Sequence, residues 1–222
     1  MKCLIISLMI IVSGFTAGYS QEKLVGFFEN DLKKYATAYN ERNWDVVTSM
    51  LNPGLFNLMP KEAFVKQLSG LDEQGVKISI QIDSVKKISD QVVHEEKKYH
   101  LVTYSCSITI QLTNDGLSID EIGKSLVSVY GPEKVKIDNE KRSIVTSSDQ
   151  SMIASSPSGD DKWTYLENTA QGRRLLLHII PEEVVNKLEG KTGDETAAVD
   201  ETLPESKPEE TLKEPVDATV PE

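Results

Sequence analysis

"YHLVTYSCSITIQL", residues 99–112, is the stretch on which the fold turns. Val102, Tyr104, Cys106, Ile108, Ile110 and Leu112 fall on one side of an extended chain, and Thr103, Ser105, Ser107, Thr109 and Gln111 on the other. His100 extends the apolar side. At about 3.3 Å per residue such a strand reaches roughly 45 Å if straight, so the spacing predicts a curved strand with one covered face.

Upstream, Val76, Ile78, Ile80 and Ile82 alternate in the same way, and the pattern slips after Asp83 to Val85 and Ile88. That predicts a second strand with a bulge or bend. The period then lengthens. Leu24, Phe27, Phe28, Leu32, Tyr35 and Tyr39 form one stripe of a helix over 22–40, heavy enough to need a sheet as its partner. A second helix over 43–51 is capped by Asn43 and ended by Asn52-Pro53-Gly54. Pro60 opens a third helix, with Phe64, Val65 and Leu68 inward and Gly70 placed to close it. These breaks read as corners of a helical layer folded over the open end of a sheet, with Trp44, Phe56 and Phe64 as its lid.

Downstream, Asn114-Asp115-Gly116 makes a turn, and Ser118 caps a helix that Gly131-Pro132 closes. Three short strands are predicted at 135–138, 143–148 and 151–155, the first two joined by a turn at 138–141. After a Ser158-Gly159 turn comes a last strand, 163–166. One or two apolar helices over 175–188 follow, restarted at Pro181. The fold class is α+β: N-terminal helices on a curved antiparallel sheet, with an extra helix inserted between strands.

The ends stand outside this domain. Lys2, an apolar run from Leu4 to Val12, and Gly18 and Ser20 before Gln21 have the form of a signal peptide over 1–20. The apolar run is shorter than the roughly 20 residues a membrane span requires. Cys3 precedes that run, which argues against lipidation. The expectation is an exported, periplasmic or extracellular protein with no span after cleavage. Residues 190–222 hold ten acids against three lysines, −7 of the formal −11, and four of the nine prolines. This composition predicts a solvated, disordered acidic tail, or a docking segment for a basic partner. "ETL" recurs in it at 201–203 and 210–212. The domain over 21–189 keeps a charge of −5 and only one adjacent arginine pair, Arg173-Arg174, so no nucleic acid is expected as a partner.

Little catalytic chemistry is written in the motifs. Cys106 is the only cysteine after cleavage, and its place in the apolar alternation predicts a buried small hydrophobe. His100 lies six residues away along the strand, about 20 Å, too far for a dyad. His94, His100 and His178 show no ligand spacing, so no metal is expected. Gly123-Lys124-Ser125 has Ser118 where a phosphate-binding loop needs glycine, and no G-x-S-x-G turn is present. No cofactor is expected.

The order of elements resembles the NTF2-like superfamily. Three stretches carry the likeness to its small secreted bacterial members: "AYNERNWDVVTSMLNPGLF" (38–56) with "MPKEAFVKQL" (59–68), "SLVSVYGPEKVKID" (125–138), and "KWTYLENTAQGRRLLLHIIPEEVVNKL" (162–188). The helix between strands departs from the simplest version of that fold. The resemblance implies a cone-shaped sheet wrapped around the first helix but no one activity. Pocket candidates are Tyr35, Tyr39, Trp44, Phe56, Phe64, Asp83, His100 and Tyr104. The leading expectation is a non-catalytic domain that holds a small apolar ligand, a peptide or an envelope protein in the concave face. The Ser/Thr face of 103–111 suggests a homodimer. The alternative is a small lyase or isomerase with an Asp or His base (Asp83 or His100) beside Tyr donors. In a third reading, the acidic tail is the functional part of a surface adaptor.

Overall fold

A computed structural model describes residues 3–157 and 162–191, with side chains from residue 21 onward. The Ser158-Gly159 turn, the side chains of the 1–20 segment and the acidic tail from 192 lie outside the described residues.

Two long strands form the spine. β3 (Lys97–Leu112) and β5 (Ser143–Pro157) pair antiparallel without interruption from Lys97↔Pro157 to Gln111↔Ser143. The two separate strands expected at 143–148 and 151–155 are therefore one. Asp149 and Gln150 look like a break in the sequence, yet they stay in register opposite Ser105 and Tyr104, whose backbone supplies the ladder bonds.

β1 (Val76–Ile88) lies on the other side of β3, with register shifts at Ile82/Ser84 and Val85/Lys87. These are the bends that the slipped alternation predicted, and they help curl the sheet. β4 (Val135–Asp138) pairs with β5. β2 (Val92–His94), not anticipated in the sequence, is a three-residue strand on β3, and β6 (Thr164–Glu167) extends β5 on its far half. The result is a curled antiparallel half-barrel.

Helix α1 (Cys3–Asn40) crosses the concave face. Phe28, Leu32 and Ala36 are buried there against Val102, Met152, Ala154 and Tyr165. Phe27, assigned to the same stripe from the sequence, is 39% exposed. Phe27 lies about 100° around the helix from Phe28, which takes it to the margin of the face that the sheet covers. Fully burying a Phe or Leu side chain contributes roughly 1.5–3 kcal/mol, so Phe28 and Leu32 hold the helix in place.

α2 (Trp44–Met50) is capped by Asn43, whose side chain accepts from Val46 N at 3.3 Å. Beyond the Asn52-Pro53-Gly54 corner the chain makes one unanticipated turn of helix, α3 (Leu55–Leu58), before Pro60 caps α4 (Lys61–Glu73). Gly70 sits inside α4 and does not close it. The chain turns at Gln74 and Gly75 instead. Gly75 has φ +86°, and a Cβ there would lie 2.8 Å from the Asn114 backbone nitrogen.

Arg42 ties this layer to the sheet. Its guanidinium meets Asp72 at 2.6 Å through both Nε and Nη2, and Nη1 donates to the carbonyls of Tyr39 (3.1 Å) and Ile78 (3.0 Å). One side chain thus joins the end of α1, the end of α4 and the start of β1.

The inserted helix α5 (Ile119–Tyr130), capped by Ser118, packs on β4 and β5. Its Gly123 rests on Ile137: a Cβ there would be 2.4 Å from Ile137 Cδ1 and 3.9 Å from Ile144 Cδ1. Ile144 pairs with Ile110, and Ile110 faces the concave side, so α5 covers that side too. α7 (Glu182–Glu189) packs on the convex side against Tyr99, Ile153 and Leu166, and α6 (Arg173–Ile179), joined to it at Pro181, packs on the same cluster while its Leu175 and Leu176 reach the concave side. Among the described residues no helix is long and apolar enough to cross a membrane.

Candidate functional site

The concave face is not filled. Beyond Leu32 the sheet curls away from α1 and leaves a cavity of two adjoining chambers. The inner chamber has a volume of about 150 Å³ and runs from Leu32 to Tyr104, Cys106 and Met152. The outer one, about 460 Å³, is walled by Phe64 and Leu68 of α4, Ile78 and Ile110 of the sheet, and Leu175 and Leu176 of α6. Tyr35, Ile80, Ile108, Tyr130 and Glu167 border both. The walls are mostly aliphatic and aromatic, with few polar groups, which is the usual make-up of a small-molecule site.

The polar groups meet at the join of the two chambers. Glu167 ends β6 opposite Met152, and that register sends its carboxylate to the concave side. Its side chain is exposed, and it borders both open chambers. Protein surrounds the group elsewhere, and lost hydration pushes its pKa up from the usual glutamate range. No described side chain or backbone amide donates to it. The negative charge of Glu167 acts on the Tyr35, Tyr39 and Tyr104 hydroxyls, which burial already pushes well above the usual tyrosine range. These phenols stay protonated and are donors at any physiological pH. Arg42 is paired with Asp72, and Arg173 with Glu189.

Of the eight candidates, Tyr35, Tyr39, Phe64 and Tyr104 lie on the cavity wall. The other four do not. Trp44 packs outside, edge-on to Tyr39 at 5.5 Å, with the Arg42 guanidinium 5.8 Å from its ring. Phe56 supports Phe64 from behind, with ring centroids 6.1 Å apart. Asp83 occupies the β1 bulge, exposed, and accepts from Gln81 Nε2 at 3.0 Å rather than from turn amides. His100, on the apolar side of β3 as its place in the alternation predicts, is 5% exposed. Its ring lies between Phe28 (5.8 Å) and Trp163 (5.4 Å), with Nδ1 3.0 Å from the Ser89 carbonyl. Burial pushes its pKa down, so it is a neutral part of the core rather than a base in the cavity.

Two site residues escaped the sequence reading. Glu167 follows Trp163 and Tyr165 at intervals of two, so an alternation extended by one step would have placed it on their face. Tyr130 is the last residue of α5, and only the packing of that helix brings it to the cavity. Cys106 is 3% exposed, and desolvation pushes its thiol up to about 11. A proton held that tightly makes it a poor nucleophile. Among the described residues no group of three or more His, Cys, Asp or Glu is placed to hold a metal ion.

No protein-family model matches the chain, and no curated protein matches it in sequence.

Proposed function

We propose that this is an exported, non-catalytic binding domain of the NTF2-like kind that takes a small, largely apolar ligand into the concave face of its sheet. The observation that carries this reading is the two-chambered cavity beside α1, apolar on most of its wall and closed by α4, α5 and α6. The signal-like sequence before Gln21 supports export. The convex strip from Thr103 to Gln111 supports self-association through a flat polar sheet face. No described helix lies over it, and its hydroxyls bond to one another, Ser84 to Ser105 at 3.3 Å and Ser107 to Ser147 at 3.1 Å.

The test uses the neutral, environment-sensitive dye N-phenyl-1-naphthylamine with the full chain and with Ile108→Trp, which fills the join of the chambers. Blue-shifted emission in the parent protein that disappears in the variant, with circular dichroism unchanged, supports the reading. Equal emission from both sinks it.

A second reading has an observation of its own: an acid, Glu167, shares the cavity wall with Tyr35, Tyr104 and Tyr130, as a small lyase or isomerase would require. A general base is ordinarily oriented by a hydrogen-bonding neighbour, and Glu167 has none among the described residues, which places this reading second. Deuterium exchange from D2O into a bound hydrophobic ketone, abolished by Glu167→Gln, would reverse the order.

A further inference from the structure

Glu167 is an anomaly in a cavity built of Leu, Ile, Phe and Tyr. A carboxylate partly stripped of water is costly unless it is paired, and Glu167 turns its exposed surface to the open chambers. Here it has no salt bridge and no hydrogen-bond donor among the described residues, while Arg42 pairs with Asp72 and Arg173 with Glu189. Two features show that the position is held rather than incidental. β6 is in register with β5 through four pairs, ending at Met152↔Glu167, so the backbone fixes the side chain on the concave face. The groups that face it from every packed element are neutral: Tyr35 and Tyr39 from α1, Tyr104 and Cys106 from β3, and Tyr130 from α5. The cavity therefore carries one uncompensated negative charge ringed by phenols.

We propose that Glu167 is the anchor for a cationic group, and that the ligand is a hydrophobic amine: an ammonium seated between Glu167 and the tyrosine rings, with its apolar body in the outer chamber. The proposal rests on the reading of the cavity as a ligand site. An ammonium completes what the empty site lacks. It pairs with the carboxylate in a setting where charge-assisted hydrogen bonds are about twice as strong as neutral ones. The Tyr35 and Tyr104 rings on the same wall can add attraction for a cation, while the Tyr39 ring already carries the Arg42 guanidinium at 5.7 Å. A neutral alcohol recovers only part of this. An anion of the same shape meets Glu167 as a like charge. The outer chamber, about 460 Å³ and walled by Phe64, Leu68 and Leu175, takes the hydrocarbon.

The experiment compares three probes of one shape: 4-phenylbutylamine, 4-phenylbutan-1-ol and 4-phenylbutyrate. Each displaces N-phenyl-1-naphthylamine from the full chain at pH 8, and from Glu167→Gln. The expected result is an amine at least tenfold tighter than the alcohol, with the carboxylate weakest. In Glu167→Gln the amine's advantage falls to about twofold or less while the alcohol's affinity holds. Lowering the pH through the range in which Glu167 takes up its proton weakens the amine and leaves the alcohol unchanged, because protonated Glu167 no longer pairs. Equal amine and alcohol affinities in the parent protein, or a preference that survives Glu167→Gln, overturn the amine proposal and leave the cavity reading standing. Failure of the dye itself to bind overturns both.

Discussion

Glu167 and Met152 are cross-strand partners, so a carboxylate and a core thioether leave the sheet on the same face. Of that pair, Met152 is 4% exposed and in the core, while Glu167 one strand outward borders open space. The edge of the core and the site are one row of side chains, and this makes the cost of the charge measurable.

Glu167→Gln should stabilise the ligand-free protein at neutral pH. Burial raises the folded-state pKa of Glu167 above its unfolded value. Its favourable contribution is thus complete below the unfolded pKa and is lost as pH rises through the folded one. The two proteins should melt together near pH 4 and diverge above it, with Gln higher. Each kcal/mol of difference corresponds to about 2–4 °C at this chain length. Melting curves between pH 4 and 8 give the answer, and a constant gap across that range would mean that Glu167 is not desolvated.

His100 should make the opposite contribution. Its pKa is lowered by burial, so its stabilising share is present above the unfolded histidine value, about 6.5, and lost as pH falls through the folded value. Its imidazole resonances should begin to titrate only below the range of a free histidine. A normal midpoint by proton NMR would contradict the packed, neutral ring.

Removing the Arg42 clamp by Asp72→Asn should cost about 1–3 kcal/mol, the range for hydrogen bonds to a charged group, reduced by partial exposure. Urea denaturation measures it, and because the clamp borders the outer chamber through Tyr39, dye emission should fall as well. A loss under 0.5 kcal/mol would mark the bidentate pair as surface decoration.

Gly75→Ala should destabilise by about 1–3 kcal/mol, since the residue sits at φ +86° with the Asn114 backbone in the way of a Cβ. Gly70→Ala should be neutral or mildly stabilising, because Gly70 is mid-helix and a Cβ there meets nothing within 4 Å. The contrast between these two variants in one denaturation series distinguishes the residue that ends α4 from the one whose sequence position suggested it.

Cys106 should resist Ellman's reagent in the native protein at pH 8 and react fully in guanidinium. Its thiol is buried and holds its proton to about pH 11. Rapid native labelling would show that the inner chamber admits a bulky anion, contrary to its dimensions and to the neighbouring charge of Glu167.

The α+β class, the long strands, the β1 bulge, the inserted helix and the helix breaks were legible because each rests on a local signal: period two, period 3.6, a cap, a proline. What could not be read depends on neighbours. β5 looked like two strands because Asp149 and Gln150 interrupt its pattern, and only the partner β3 keeps them extended. β2 is three residues whose pairing exists because β3 is there to receive them. For the site, Tyr35, Tyr39, Phe64 and Tyr104 followed from face assignments. Asp83 and His100 were chosen for their chemistry, but the bulge turns one outward and the aromatic core encloses the other. Glu167 required the last strand to be extended by one residue, and Tyr130 required a tertiary contact.

The strand order β1-β3-β5-β4 has a consequence for how the chain acquires its shape. α1 rests its buried stripe on Val102 of β3 and on Met152 and Ala154 of β5. Half of that surface is synthesised more than 100 residues after Phe28, and β3 gains its main partner only once α5 and β4 have been made. A nascent chain emerging from its N-terminus can bury its first helix only in part, against Ile82, Val85, Ile88 and Val102, until residue 157 is free. Until then Phe28 and Leu32 keep apolar surface, which β5 later covers, available to any holdase that meets the chain.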